Sequence, residues 1–258
     1  MIYIKEKNIL KYKMKIFSII FIASIAFILN ASGFASRYWD CCKPSCSWTA
    51  NSGGNNARQC DASMNTLNDP DAKSMCEGGP STTCLDQIPM VVNDQLAYAF
   101  AASPGAGANV CGKCFQLSFT GEGKYETKLN HKKLQGKKLI VISSNIGYDV
   151  AGGQFDIMIP GGGVGLFNGC ANILGNNLGK TYGGLLSDCE DEVGWNGSDE
   201  EIYEKRKSCL TNKCNSVFSG KSQALQGCLF LANWMEAAGN PLHNYEEVAC
   251  PDQLKSKY

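Results

Sequence analysis

The sequence predicts a mainly β, single-domain protein with disulfide-stapled loops and a few short helices. Three observations lead there. Short apolar runs with strand-like alternation recur at 113–120, 137–143 and 154–159. Fourteen cysteines follow a leader of the kind that directs export. Between the runs lie long stretches rich in Gly, Asn, Ser, Asp and Pro, the residues of turns and loops. A chain of 258 residues fits one domain, or at most two.

Residues 1–35 read as a secretory signal peptide. Lys5, Lys7, Lys11, Lys13 and Lys15 give a basic start, Ile16 to Leu29 is free of charge, and Ala31-Ser32-Gly33-Phe34-Ala35 supplies small residues for cleavage after Ala35. The apolar run is short for a membrane span of about 20 residues. Removing 1–35 leaves a domain at 36–258 with 19 basic and 23 acidic residues. A mildly acidic, extracellular chain is poorly suited to nucleic acid or anionic membrane and suits a neutral partner.

From 36 to 48 the chain reads Ser-Arg-Tyr-Trp-Asp-Cys-Cys-Lys-Pro-Ser-Cys-Ser-Trp. Aromatic rings beside an acid suit carbohydrate, though rings buried around disulfides give the same pattern. Residues 49–92 read as bridged loops. Asn93 is placed to cap a helix over 94–102, with Leu96, Ala99 and Phe100 on one stripe. Strands at 113–120 and 137–143 follow, with a hairpin-like or longer loop at 121–136. A flexible loop at 145–154 holds Asp149. Next comes Gln154-Phe155-Asp156-Ile157-Met158-Ile159-Pro160, then Gly161-Gly162-Gly163 and an apolar run to Cys170. Phe155, Ile157 and Ile159 share one strand face, so Asp156 points the other way. A carboxylate at a cleft wall and a solvent-facing acid on an edge strand both fit that pattern.

Residues 171–197 read as loop. Ser198-Asp199-Glu200-Glu201 has the form of a capping box, so a charged helix to about Lys207 is expected. A second amphipathic helix spans 222–238, with Gly239 as its C-cap, and a short strand spans 245–250. No repeat or linker marks a tethered second module, so no carbohydrate-binding module is expected. Asn196-Gly197-Ser198 is an N-glycosylation sequon.

Fourteen cysteines in an exported chain imply seven disulfides. With only His131 and His243 in the chain, neither a zinc site nor a nucleophilic triad is expected. The glycines at 161–165 lack the Lys-Ser/Thr ending of a phosphate loop. Carboxylates remain: Asp40, Asp149 and Asp156, all in aromatic or Gly-rich surroundings. Glycoside hydrolysis needs two of them, one to protonate the leaving oxygen and one to activate water or attack carbon.

At these residues the chain resembles the family 45 glycoside hydrolases, secreted endoglucanases. The segment at 36–48 resembles the family's amino-terminal signature. Residues 155–170 resemble the second, Phe-Asp-x-x-x-Pro-Gly-Gly-Gly-Val-Gly-x-Phe-x-Gly-Cys. The similarity runs through nearly all of 36–250. It implies a six-stranded double-psi β-barrel with an open groove, and a monomer that needs no cofactor or metal. The implied activity is inverting cleavage of internal β-1,4-glucosidic bonds in a β-glucan. Asp40 matches the general base, Asp156 the general acid, and Asp149 an assisting acid on a mobile loop. Tyr38, Trp48, Lys43 and Gln154 match or flank substrate-contacting positions. Inversion needs the two carboxyls about 6.5–9.5 Å apart.

The resemblance also implies the bridges Cys41–Cys170, Cys42–Cys76, Cys46–Cys111, Cys60–Cys84, Cys114–Cys250 and Cys189–Cys228. That leaves Cys209 and Cys214 to pair within an apparent insertion near 192–222. Gln154 stands where some members have His, Asn168 where some have Asp, and Gly112 where some have Cys. The alternative function is a non-hydrolytic, expansin-like wall-loosening protein. Such proteins share the barrel and the acid but lack the base, so Asp40 argues against it.

Overall fold

The computed structural model describes residues 31–105, 109–147 and 149–258; the basic start and apolar run of the leader lie outside them. The described strands are β1 (Ala31–Tyr38), β2 (Met90–Asn93), β3 (Leu96–Ser103), β4 (Cys114–Gly123), β5 (Lys138–Ile146), β6 (Phe155–Met158) and β7 (Pro241–Val248). They run in the order β2-β3-β5-β4-β7-β1-β6, and a further pairing of β6 with β3 closes the sheet. Six strands therefore form a closed barrel, with β2 as an extra strand on β3. This agrees with the barrel that the resemblance implies. β1 is parallel to β6 and β3 to β5; the other pairs are antiparallel.

Strand alternation fills the barrel. Leu117 and Phe119 of β4, Leu139 and Val141 of β5, and Phe155 and Ile157 of β6 are all buried. β1 begins at Ala31, and its residues 31–34 pair with 242–245 of β7. Cleavage after Ala35 would remove that paired half of the strand.

Residues 94–102, expected as a helix, are instead the body of β3. Four alanines between 97 and 102 raise helix propensity, but Leu96, Tyr98 and Phe100 also alternate with period two. Tertiary pairing decides: β3 is held by β5 along its whole length, by β2 at one end and by β6 at Ala101 and Ala102. Asn93 Oδ1 accepts the Gln95 N–H at 2.9 Å, so it makes a tight turn between β2 and β3 and caps no helix.

The described helices are α1 (Thr49–Ser52), α2 (Leu129–Lys132), α3 (Gly184–Val193), α4 (Asp199–Val217), α5 (Ser222–Asn233) and α6 (Asp252–Lys255). α3 lies in a stretch expected to be loop; Gly183 and Gly184, with φ of 81° and 58°, obscure its start. α4 has the expected capping box between Ser198 and Glu201 but runs ten residues past Lys207. α5 ends at Asn233, short of Gly239. Glu236 and Ala237 take φ of 57° and 51°, and Trp234 Nε1 donates to the Asn93 carbonyl at 2.9 Å, so contacts with the barrel turn the chain early.

Five bridges form as the resemblance implies: Cys41–Cys170, Cys42–Cys76, Cys46–Cys111, Cys60–Cys84 and Cys114–Cys250. The last two differ. Cys189 pairs with Cys209, and Cys214 with Cys228. Cys209 and Cys214 both lie on α4, five residues apart. Helix rise alone separates them by about 7.5 Å, beyond disulfide reach, and they point about 140° apart. Each therefore bonds outward, one to α3 and one to α5.

Candidate active site

β1, β6 and the loop after β5 converge on a cleft of ≈ 590 Å³. Asp156 stands on β6 between Ser36 of β1 and Ala102 of β3, its ladder partners on either side. Phe155, Ile157 and Ile159 point into the barrel and are buried, while Asp156 faces the cleft. The neighbouring Ala102 leaves room beside the carboxyl. Burial pushes the Asp156 carboxyl above its ordinary value; the Gln154 amide, donating to Oδ1 at 2.9 Å, opposes that, and the charge of Asp149 adds to it.

Asp40 follows β1 at the point where the chain turns through Cys41, whose φ is 55°. Burial raises its carboxyl to about 6, against a Cys42 N–H that donates to Oδ1 at 2.9 Å and favours the ionised form. Two backbone bonds zip the end of β1 to the glycine bend. Ile159 N donates to the Tyr38 carbonyl at 3.0 Å, and Trp39 N to the Gly163 carbonyl at 2.7 Å. A side chain at Gly162 would strike the Ile159 carbonyl oxygen and crowd the Tyr38 backbone, so this approach favours glycine there. The Cys41–Cys170 bridge fastens the residue after Asp40 to the end of the same segment. Asp40 and Asp156 thus line one cleft, on adjoining and cross-linked stretches of chain.

The other expected residues are placed as follows. Tyr38 lines the cleft, and its hydroxyl accepts from Asn145 Nδ2 at 3.1 Å; burial raises the phenol well above its usual value, so it stays protonated. Asp149 is exposed on the loop after β5 and lines the cleft. Trp48 lines it as well, half-buried. Lys43 is also at the cleft but is not a free cation. Its ammonium donates to the Pro70 and Ala72 carbonyls at 2.5 and 2.8 Å and sits 3.3 Å from the centre of the Trp48 ring. It holds that ring in place through one face. The Gln154 amide nitrogen is likewise engaged, with Ser36 and Asp156.

Four further residues escape a reading by residue type. Ser36, bonded to Asp156 rather than lining the cleft, is one. Asn145 is another: it links Tyr38 to the Ser45 N–H, which donates to its Oδ1 at 2.8 Å. Phe167 and Tyr182 are rings on the cleft rim, 56% and 67% exposed. Exposed rings flanked by Gly, at 165–169 and 182–184, were the available signal for these two.

Paired carboxyls in an aromatic-rimmed cleft, among lining residues that include no histidine, are the equipment of a carboxylate-based glycoside hydrolase. The chain belongs to glycosyl hydrolase family 45, whose family model matches residues 32–200. It is 44% identical to endoglucanase B of Cellvibrio japonicus over 236 residues, covering 88% of this chain and 45% of that protein. It is 38% identical to a putative endoglucanase type K of Fusarium oxysporum over 231 residues, covering 87% of this chain and 52% of that protein. The chain thus spans about half the length of these two relatives. An endoglucanase of Cryptopygus antarcticus is 34% identical over 255 residues and matched over 96% of its own length. The crystal structure of a cellulase from that springtail superposes with a TM-score of 0.67 at 34% identity, over 88% of this chain and 94% of that one.

Proposed function

We propose that the protein is a secreted endo-β-1,4-glucanase that acts as a monomer and inverts the anomeric centre. Asp156 donates a proton to the leaving oxygen, and Asp40 takes one from the attacking water. The observation that carries this is the convergence of Asp40 and Asp156 on one open cleft within cross-linked backbone. Substrate in the cleft removes water from Asp156 and raises its carboxyl further, keeping the proton in place until the bond breaks. Asp40 keeps the Cys42 N–H, which supports its ionised form. Trp48, Phe167 and Tyr182 offer faces for glucosyl rings. Asp149 assists through its negative charge, which helps Asp156 keep its proton.

The raised value at Asp40 also suits a proton donor, so a reversed assignment is the second reading. One set of assays decides. Reducing ends released from a soluble β-1,4-glucan are measured for wild type, Asp40→Asn and Asp156→Asn. Each variant should lose about 10²–10⁴-fold. An aryl cellobioside with a good leaving group should then restore activity to Asp156→Asn and not to Asp40→Asn, because such a group needs no proton. Restoration of Asp40→Asn alone reverses the roles. Full activity of either variant on the polymer removes that residue from catalysis, and wild type that weakens cellulose without releasing reducing ends is expansin-like. The first product anomer, read by NMR, tests inversion: α supports it and β overturns it. N-terminal sequencing of the exported chain tests the leader and locates its cleavage.

A further inference from the structure

We propose that Ser36 and Gln154 are positioning residues that confine the proton of Asp156 to Oδ2. The proposal rests on Asp156 acting as the general acid.

Strand geometry brings the three side chains together. Ser36 is the ladder partner of Asp156 in the parallel β1–β6 pair, so both face the cleft side. Gln154 precedes Asp156 by two residues and shares its face. Ser36 Oγ donates to Asp156 Oδ1. Gln154 Nε2 donates to the same Oδ1 at 2.9 Å and to Ser36 Oγ at 2.8 Å. The Ala151 N–H donates to Gln154 Oε1 at 3.4 Å, which sets which end of the amide is the donor.

Counting protons and lone pairs gives the result. Ser36 Oγ and Asp156 Oδ1 touch each other and lie 2.8 and 2.9 Å from Gln154 Nε2, so one amide proton is shared between them. The single Ser36 proton goes to Oδ1, and its oxygen accepts from Gln154. Oδ1 then accepts two bonds, which occupy both of its lone pairs. The acid proton cannot sit there, and Oδ2 carries it. In the reaction, that proton passes from Oδ2 to the glycosidic oxygen while the electron pair of the breaking C1–O bond moves to the same oxygen. Water bonds to C1 and gives its proton to Asp40. As Asp156 becomes a carboxylate, its two donors on Oδ1 are already in place where charge develops, so they stabilise the transition state more than the ground state.

The titratable groups facing Asp156 are Asp149 from the loop after β5, and Tyr38 and Asp40 from the end of β1. β3 contributes only Ala102. The Arg37 guanidinium is bound elsewhere, to the Gly183 carbonyl and Ser187 Oγ, both at 3.1 Å. The two donors on Oδ1 are neutral at every working pH, so they act without titrating.

The test is kcat and kcat/KM against pH on a soluble β-1,4-glucan for wild type, Ser36→Ala, Ser36→Thr, Gln154→Leu and Asp156→Asn. Loss of a donor that favours the carboxylate should move the alkaline limb up by about one pH unit and lower kcat about 10-fold, with KM unchanged. Ser36→Thr keeps the hydroxyl and should keep the wild-type profile. An unmoved alkaline limb in both Ser36→Ala and Gln154→Leu overturns the proposal. So does a rise in KM at constant kcat for Gln154→Leu, which marks a sugar contact. Full activity of Asp156→Asn would instead remove the acid assignment itself, so the two failures are distinguishable.

Discussion

Two buried carboxyl environments in this molecule have opposite outcomes. At the cleft, Asp40 and Asp156 are desolvated with only neutral donors beside them, and both are pushed above the ordinary range. Beside the helical insertion, Glu236 is also partly desolvated, but it lies below the ordinary range. Burial acts to raise it, and the Lys137 ammonium at 2.9 Å, the Tyr203 hydroxyl at 2.7 Å and the Lys207 ammonium at 3.0 Å outweigh burial. Desolvation is common to both regions, and the presence of a cation separates them. With cations, a carboxylate ties the residue before β5, α4 and the turn after α5 into one unit. Without them the carboxyl keeps its proton to higher pH, which is what the acid role proposed for Asp156 needs.

The largest expected effect comes from breaking the paired region. Glu236→Gln leaves Lys137, which is nearly buried, facing a neutral amide. Removing one partner of a buried pair should cost about 3 kcal/mol and lower Tm by several degrees. Cleft chemistry should persist at temperatures where the variant is folded. An unchanged Tm would mean that the cations do not hold this carboxylate and would dissolve the contrast.

Asp40→Asn tests the other side, with opposite sign. The folded-state carboxyl is raised from 3.8 to about 6, so the folded protein binds a proton that the unfolded chain releases. Wild-type stability from this group is full below pH 4 and is lost as pH rises through about 6. The amide accepts the Cys42 N–H and carries no charge. The variant should therefore be more stable than wild type by up to about 3 kcal/mol above pH 7, with the gain vanishing near pH 4. Chemical denaturation at the two pH values reads this directly. A variant that is less stable at pH 7 contradicts the picture of a desolvated, unpaired acid.

The two regions were also unequally legible in the sequence. β4, β5 and β6 follow from alternation, and the α4 start follows from its capping box, because these signals are local. The cleft acids stood in two long signatures, so their spacing of more than a hundred residues was no obstacle. β3 was not legible: its alanines favour helix, and only its three strand neighbours make it a strand. The last two bridges failed for a related reason. Cys209 and Cys214 are close in sequence, yet a helix extending past 207 sets them on different sides. Ser36 stands within a signature, yet its role is not legible there, because its partner lies 120 residues away and only strand register brings them together.

The smallest expected effect isolates charge at the cleft. Asp149 raises the Asp156 carboxyl through its negative charge and makes no hydrogen bond to it among the described residues. It is exposed, so solvent and salt weaken the interaction. Asp149→Asn should move the alkaline limb of kcat/KM down by a few tenths of a pH unit, since Asp156 would then give up its proton at lower pH. Added salt should shrink the same shift in wild type toward the variant. If kcat instead falls at every pH and salt leaves the difference unchanged, Asp149 contacts the sugar or the attacking water, and charge is not its main contribution. That outcome would place a third carboxylate in the chemistry and would make the cleft depend on more than the neutral donors bonded to its two acids.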